Sequence, residues 1–212
     1  MADVNELIDN QSFYIPSEDN KDNKQDVYIP LVPGEYYAHI VDATYQQDID
    51  VKGGKYKANV YNFFVELSPE NKSNTYTYSR NGEECETTGE VYAGKRVKAY
   101  GMWRWIEPKE GDTFESNGGQ NKYFMLFCES LGVECPLIKT TVGGKEVEVK
   151  SLPDLDVKDI NGKPVIAVIG KGKPWTNKEG KEVKSNIVRY VKQWEGGKVM
   201  EIKEENLDDL PF

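Results

Sequence analysis

The chain has one histidine, His39, and three cysteines, Cys85, Cys128 and Cys135, with no Cys-x-x-Cys spacing among them. That is too little for a structural zinc site, and it points to free thiols in an intracellular setting. No apolar run approaches the length that crosses a membrane. Met1-Ala2-Asp3-Val4-Asn5-Glu6 also lacks the basic start of a signal peptide. Positive charge is not in excess either: the formal net charge is −9, whereas a basic surface is the usual footprint of a nucleic-acid binder. What is present, 38% hydrophobic and 30% charged residues over 212 positions, fits a soluble globular chain with one elaborated domain and a real core.

The negative charge is segregated. Residues 1–26 hold seven acids against two lysines, and residues 201–212 hold five acids against one lysine. The stretch between them is neutral. This divides the chain into an acidic, disordered N-terminal arm over 1–26, a strand-rich domain over 27–200 and an acidic tail over 201–212.

Within the domain, alternation predicts strands. Tyr36, Ala38 and Ile40 share one face of a strand after the Pro33-Gly34 turn, and a second strand runs from about Tyr56 to Leu67. On the second, Ala58, Val60, Asn62, Phe64 and Glu66 oppose Asn59, Tyr61, Phe63, Val65 and Leu67. The glycine-containing connection at Gly53-Gly54 makes the pair a hairpin. Residues 66–90 read as acidic and turn-rich. Asn121–Gly132 has the spacing of a short helix, with Asn121 as its cap, Gly132 as its end and Phe124, Phe127, Cys128 and Leu131 on its apolar face. A hairpin is expected around Gly143-Gly144, a core strand over Pro164–Ile169, and a returning strand over Val183–Trp194.

Two segments carry the candidate binding residues. Lys95–Trp105 contains no acid. At the strand period Val97, Ala99, Trp103 and Trp105 face a core, while Arg96, Lys98, Tyr100 and Arg104 share the other face. Cations interleaved with an aromatic ring suit a nucleic-acid groove, and they equally suit a solvated face that keeps a strand soluble. From 163 to 200, nine basic residues stand against three acids. Lys171, Lys173, Trp175 and Lys178 fall on a loop; Lys184, Asn186, Val188, Tyr190 and Lys192 fall on one strand face. Arg189 is out of phase, and a bulge, or exposure of both faces near an edge, would be needed for it to join them.

The chain ends Glu205-Asn206-Leu207-Asp208-Asp209-Leu210-Pro211-Phe212. Such a segment does not fold alone, but it can dock. Phe212 fills an apolar pocket, a basic residue takes the terminal carboxylate, and Asp208 and Asp209 meet further cations beside Leu210 and the stiffening Pro211. Asp-Asp-Leu-Pro-Phe in this position resembles the tail of bacterial and phage single-stranded DNA-binding proteins. Pro33-Gly34-Glu35-Tyr36 is more loosely similar to the start of phage-encoded single-stranded DNA-binding and recombination proteins. The resemblance covers these residues alone. A frayed acidic end is the other reading of the tail.

The resemblance implies an oligonucleotide-binding (OB-like) barrel with one short helix. It also implies single-stranded DNA as the ligand, and recruitment of replication, recombination and repair proteins through the tail in the bacterial host cytoplasm. No cofactor, metal or catalysis is expected. Arg96, Lys98, Arg104, Lys171, Lys173 and Lys178 are the expected phosphate contacts, with Tyr100, Trp175 and Tyr190 stacking on bases. These residues come from the local pattern and not from the resemblance. A recombination mediator or annealing protein, a nuclease and a structural phage component are the alternatives. The nuclease would need Pro153-Asp154 and Glu182-Val183-Lys184 on adjacent strands around a metal, but Pro153-Asp154 reads as a turn. Gly89–Lys95 has the glycine and lysine spacing of a phosphate loop, yet Arg96 stands where a serine or threonine belongs.

Overall fold

The computed structural model describes residues 29–51, 53–54, 56–99, 101–106, 118–142, 144–176, 180, 182–183 and 185–201. The chain divides into Met1–Pro30 and Leu31–Phe212, and the second unit carries every element below. Its strands, in chain order, are β1 (Gly34–Val51), β2 (Tyr56–Leu67), β3 (Thr75–Arg80), β4 (Glu83–Thr88), β5 (Arg96–Lys98), β6 (Met102–Trp105), β7 (Leu137–Val142), β8 (Lys145–Lys150), β9 (Pro164–Lys171), β10 (Trp175–Thr176), β11 (Glu182–Val183) and β12 (Asn186–Gln193). Its helices are α1 (Gly118–Ser130) and the one-turn α2 (Val157–Ile160). The unit is mainly β, as the alternation predicts.

The long strand β1 organises the sheet. Tyr36, Ala38 and Ile40 point inward with no exposed surface. Gly34–His39 pairs antiparallel with β9, and Ala38–Val51 pairs antiparallel with β2, so Ala38 and His39 have a partner on each side. Register shifts between Val41 and Thr44 and between Gln46 and Ile49 bulge it along its pairing with β2. Asp42 and Asp48 sit in those shifts at φ 51 and 53, a left-handed conformation that aspartate tolerates better than branched residues do.

The main sheet runs in the order β12-β9-β1-β2-β5, with β6 also on β2. An isolated parallel bridge, Ala99 with Val188, links the chain just past edge strand β5 to the other edge strand, β12. Tyr61, Phe63, Val65 and Leu67 from β2 meet Val165, Ala167 and Ile169 from β9 in the core. The apolar face of α1 closes on the same core: Phe124 and Phe127 are buried, and Phe127 stacks on Phe63 at 5.4 Å.

Three two-stranded hairpins, β3–β4, β7–β8 and β10–β11, stand off this sheet. The first corrects the turn-rich reading of residues 66–90. Its turn is Asn81-Gly82, both at positive φ (54 and 86), as a two-residue hairpin turn requires. A 3-10 turn at Pro69–Ser73 precedes it and another at Gly89–Tyr92 follows, so the glycine that opens the phosphate-loop look-alike starts a 3-10 turn.

Helix α1 begins three residues before the expected cap. Asn121 lies inside it and bonds instead to β6, accepting from Trp105 N–H at 2.8 Å and donating to Trp105 C=O at 3.1 Å. Gly132 ends it as expected, at φ 74, with Val133 N–H reaching back to Cys128 C=O. Cys85, Cys128 and Cys135 are free thiols. Burial, reinforced by neighbouring Cys135, pushes the Cys128 thiol up to about 12, which keeps it protonated and unreactive near neutrality.

Candidate nucleic-acid interface

The acid-free segment is not one strand. It breaks between the end of β5 at Lys98 and the start of β6 at Met102, and the break exchanges its faces. Phe64 pairs with Lys98 and Glu66 with Arg96, while Val60 pairs with Trp103 and Ala58 with Trp105. Cross-strand partners share a face, so Trp103 and Trp105 leave the expected core side for the face of Arg96 and Lys98, Trp103 exposed and Trp105 half-buried there. Arg104 goes the other way, opposite Asn59. The cause is close approach at Gly101, where a Cβ would lie 2.6 Å from Val60 Cγ2 and 3.3 Å from Trp103 Nε1. No side chain fits there, and two residues are used where regular alternation would use one.

Ion pairs then sort the expected phosphate contacts. Arg96 donates to Asp42 at 2.8 Å and to Glu66 at 2.9 Å. Arg104, only 22% exposed, pairs with Asp154 and so leaves the predicted groove face. Lys192 pairs with Glu35, and that hydrogen bond raises its pKa above the usual lysine value. Lys98, Lys171 and Lys173 are exposed and carry no ion pair among the described residues. The expected cations are therefore split, and half of those described are already neutralised.

On β12 the register shifts between Val188 and Tyr190, which makes Arg189 the bulged residue. The bulge corrects the regular face: Val188 and Val191 are buried three residues apart, while Arg189, Tyr190 and Lys192 are exposed. Val188 thus parts from Tyr190 and Lys192. Arg189 lies across Gly170, where a Cβ would come within 2.8 Å of its Nε, and it donates to the Lys171 carbonyl.

The bulge and the β5–β6 break meet at a groove of about 670 Å³ between β6, α1 and β12. Met102, Phe127 and Val191 are its buried lining. Trp103, Tyr123, Leu126 and Tyr190 are exposed on its walls, and Arg189 and Lys192 also line it. Of these, local pattern had singled out only Tyr190 and Lys192. Trp103 was assigned to the core, and Tyr123 carried no signal beyond its place on a helix. Phe64, 38% exposed beside Lys98, extends the aromatic surface along the sheet.

The remaining candidates are scattered. Lys173 sits on a loop pinched at its base by Gly172 N–H to Ser185 C=O at 2.7 Å. Trp175 is on β10, its backbone paired with Val183, and not on an open loop. Tyr100, Lys178, Lys184, Asp208, Asp209, Leu210, Pro211 and Phe212 lie outside the described residues. His39 is taken up by a 3.0 Å hydrogen bond to the Lys198 carbonyl beside the Trp194 ring. Asp154 lies outside any strand, unlike a carboxylate of a nuclease core. Among the described residues, no three His, Cys, Asp or Glu side chains gather to hold a metal, and no helix is long and apolar enough to cross a membrane. No family model, curated protein or solved structure matches the chain.

Proposed function

We propose that the chain is a sequence-tolerant, non-catalytic single-stranded DNA-binding protein. It would act in phage DNA replication, recombination and repair in the cytoplasm of a bacterial host, on an OB-like barrel. The barrel reading rests on the strand order β12-β9-β1-β2-β5, the parallel Ala99–Val188 bridge between the edges, and a helix lying in sequence between β5–β6 and β9. The observation that carries the DNA reading is the set of exposed rings, Phe64, Trp103 and Tyr190, beside Lys98, Arg189 and Lys192. Every base has a face to stack, so aromatic platforms flanked by cations bind single strands without reading sequence.

Because so many cations are pre-paired, stacking dominates. Lys98, Lys171, Lys173 and Arg189 give at most four phosphate contacts, so log affinity should fall against log salt with a slope of about 2–3. Titrating a labelled single-stranded oligonucleotide from low to high salt measures it. Asp42→Asn with Glu66→Gln removes two carboxylates that hold Arg96, which should tighten binding and steepen the slope by up to about 0.7. An unchanged slope in that variant removes Arg96 from the interface.

The tail Asp208–Phe212 would recruit partners in the mode its chemistry suggests. Removing 205–212 deletes three carboxylates from the tail, so single-strand affinity should stay equal or rise, most visibly at low salt. Phe212→Ala should abolish partner capture from host lysate while leaving DNA affinity unchanged, since the ring is the anchor. Loss of DNA affinity on truncation would instead assign the tail to the DNA site.

A further inference from the structure

We infer that α1, whose apolar face packs on the core, also forms a wall of the DNA site and takes unpaired bases into the groove. This rests on the single-strand reading above. The groove's volume, about 670 Å³, lies within the roughly 300–1,000 Å³ of ordinary ligand sites. Three separate elements turn rings to it: Trp103 from β6, Tyr190 from β12 and Tyr123 from α1. Tyr123 is the most exposed of the three at 65%, so its ring face is open to a base.

The rim and the lining narrow the occupant. Arg189 supplies positive charge, Lys192 beside it is paired with Glu35, and the one acid in the lining, Glu129, is paired with Lys150 at 2.7 Å. Ser130, buried, donates its hydroxyl proton to the Phe127 carbonyl at 2.7 Å, so it has none to give a base edge. Apolar and aromatic walls under a cationic rim suit flat, apolar-faced rings carried on a polyanion, with no discrimination among the four bases. The groove also continues the sheet surface. Trp103 lines it and abuts Gly101, which lies over Val60 and Asn62 on the same β2 face as Phe64. A strand passing Phe64 and Lys98 therefore turns past Trp103 into the groove.

The test uses the full chain, a fluorescein-labelled oligothymidylate and the same oligomer carrying 5-iodouracil. Tyr123→Ala should weaken binding roughly 5- to 100-fold, and Tyr123→Phe should bind like the parent. Photocrosslinks should map to the α1 peptide as well as to β6 and β12. Unchanged binding in Tyr123→Ala, with crosslinks confined to the strands, overturns the role of α1 but leaves single-strand binding standing. A parent protein that binds no oligonucleotide overturns both. If Tyr123→Ala spares DNA binding but abolishes binding of a labelled 202–212 peptide, the groove is a peptide site and the inference is wrong.

Discussion

Trp103→Ala combined with Tyr190→Ala is expected to lower single-strand affinity by at least about 30-fold, and beyond 10³-fold if both stacks are strong. A base stacked on a ring is worth about 1–3 kcal/mol, and each 1.4 kcal/mol is tenfold. Both rings are exposed, Trp103 by 36% and Tyr190 by 49%, so their removal spares most of the core. Trp103→Phe and Tyr190→Phe keep a ring in place and should lose little. Circular dichroism and melting of each variant separate lost contacts from lost structure. Tryptophan fluorescence gives a second readout, because single-stranded DNA should quench Trp103. That quench should vanish in Trp103→Ala and persist in Trp175→Ala. The opposite result would return the stacking site to the β10–β11 hairpin, where local sequence had put it.

Asn71→Ala is expected to cost on the order of 3 kcal/mol of stability, and Gly89→Ala as much or more. Asn71, in the 3-10 turn Pro69–Ser73 after β2, is fully buried against the start of β1. Its side chain accepts from Tyr37 N–H at 2.9 Å and donates to the carbonyls of Tyr37 (2.7 Å) and Ser68 (2.8 Å). Alanine strands the Tyr37 N–H among apolar groups, which is costlier than losing an ordinary hydrogen bond. A Cβ on Gly89 would stand 2.2 Å from the Asn71 carbonyl oxygen and 2.7 Å from its Cβ, so backbone itself would have to move. For a chain of this size each kcal/mol shifts Tm by about 2–4 °C, so calorimetry should find either variant melting about 6–12 °C lower. Gly89 opens the segment that looks like a phosphate loop, and this packing gives it a structural reason to be glycine. A Gly89→Ala protein with an unchanged Tm would refute that reason.

The strands of the main sheet were legible because one buried face writes its period into the sequence. Tyr36, Ala38 and Ile40 on β1 share one face as read, as do Tyr61, Phe63, Val65 and Leu67 on β2, and in each strand that face is buried. The helix face at Phe124, Phe127, Cys128 and Leu131 was legible for the same reason. What failed depends on contacts between distant residues. The face exchange at Gly101 is set by Val60, 41 positions away, and the pairing of Arg96 by Asp42, 54 positions away. No local window contains either. The bulge at Arg189 left a trace, a cation out of phase on a strand, and a bulge was one of the two ways read for it to reach the binding face. Asn81-Gly82 was the one local signal passed over, a strong hairpin turn inside an acidic stretch. The candidate site suffered most because it is assembled from those irregularities. Trp103 reaches it through the strand break, Arg189 through the bulge, and Tyr123 from a helix assigned wholly to the core.

Binding of the intact chain to labelled single- and double-stranded oligonucleotides of equal length, with and without magnesium, tests the central claim most directly. The account predicts preference for the single strand over the duplex, little dependence on base composition, and no cleavage when magnesium is added. Equal affinity for duplex, magnesium-dependent cutting, or no binding to either oligonucleotide would contradict it.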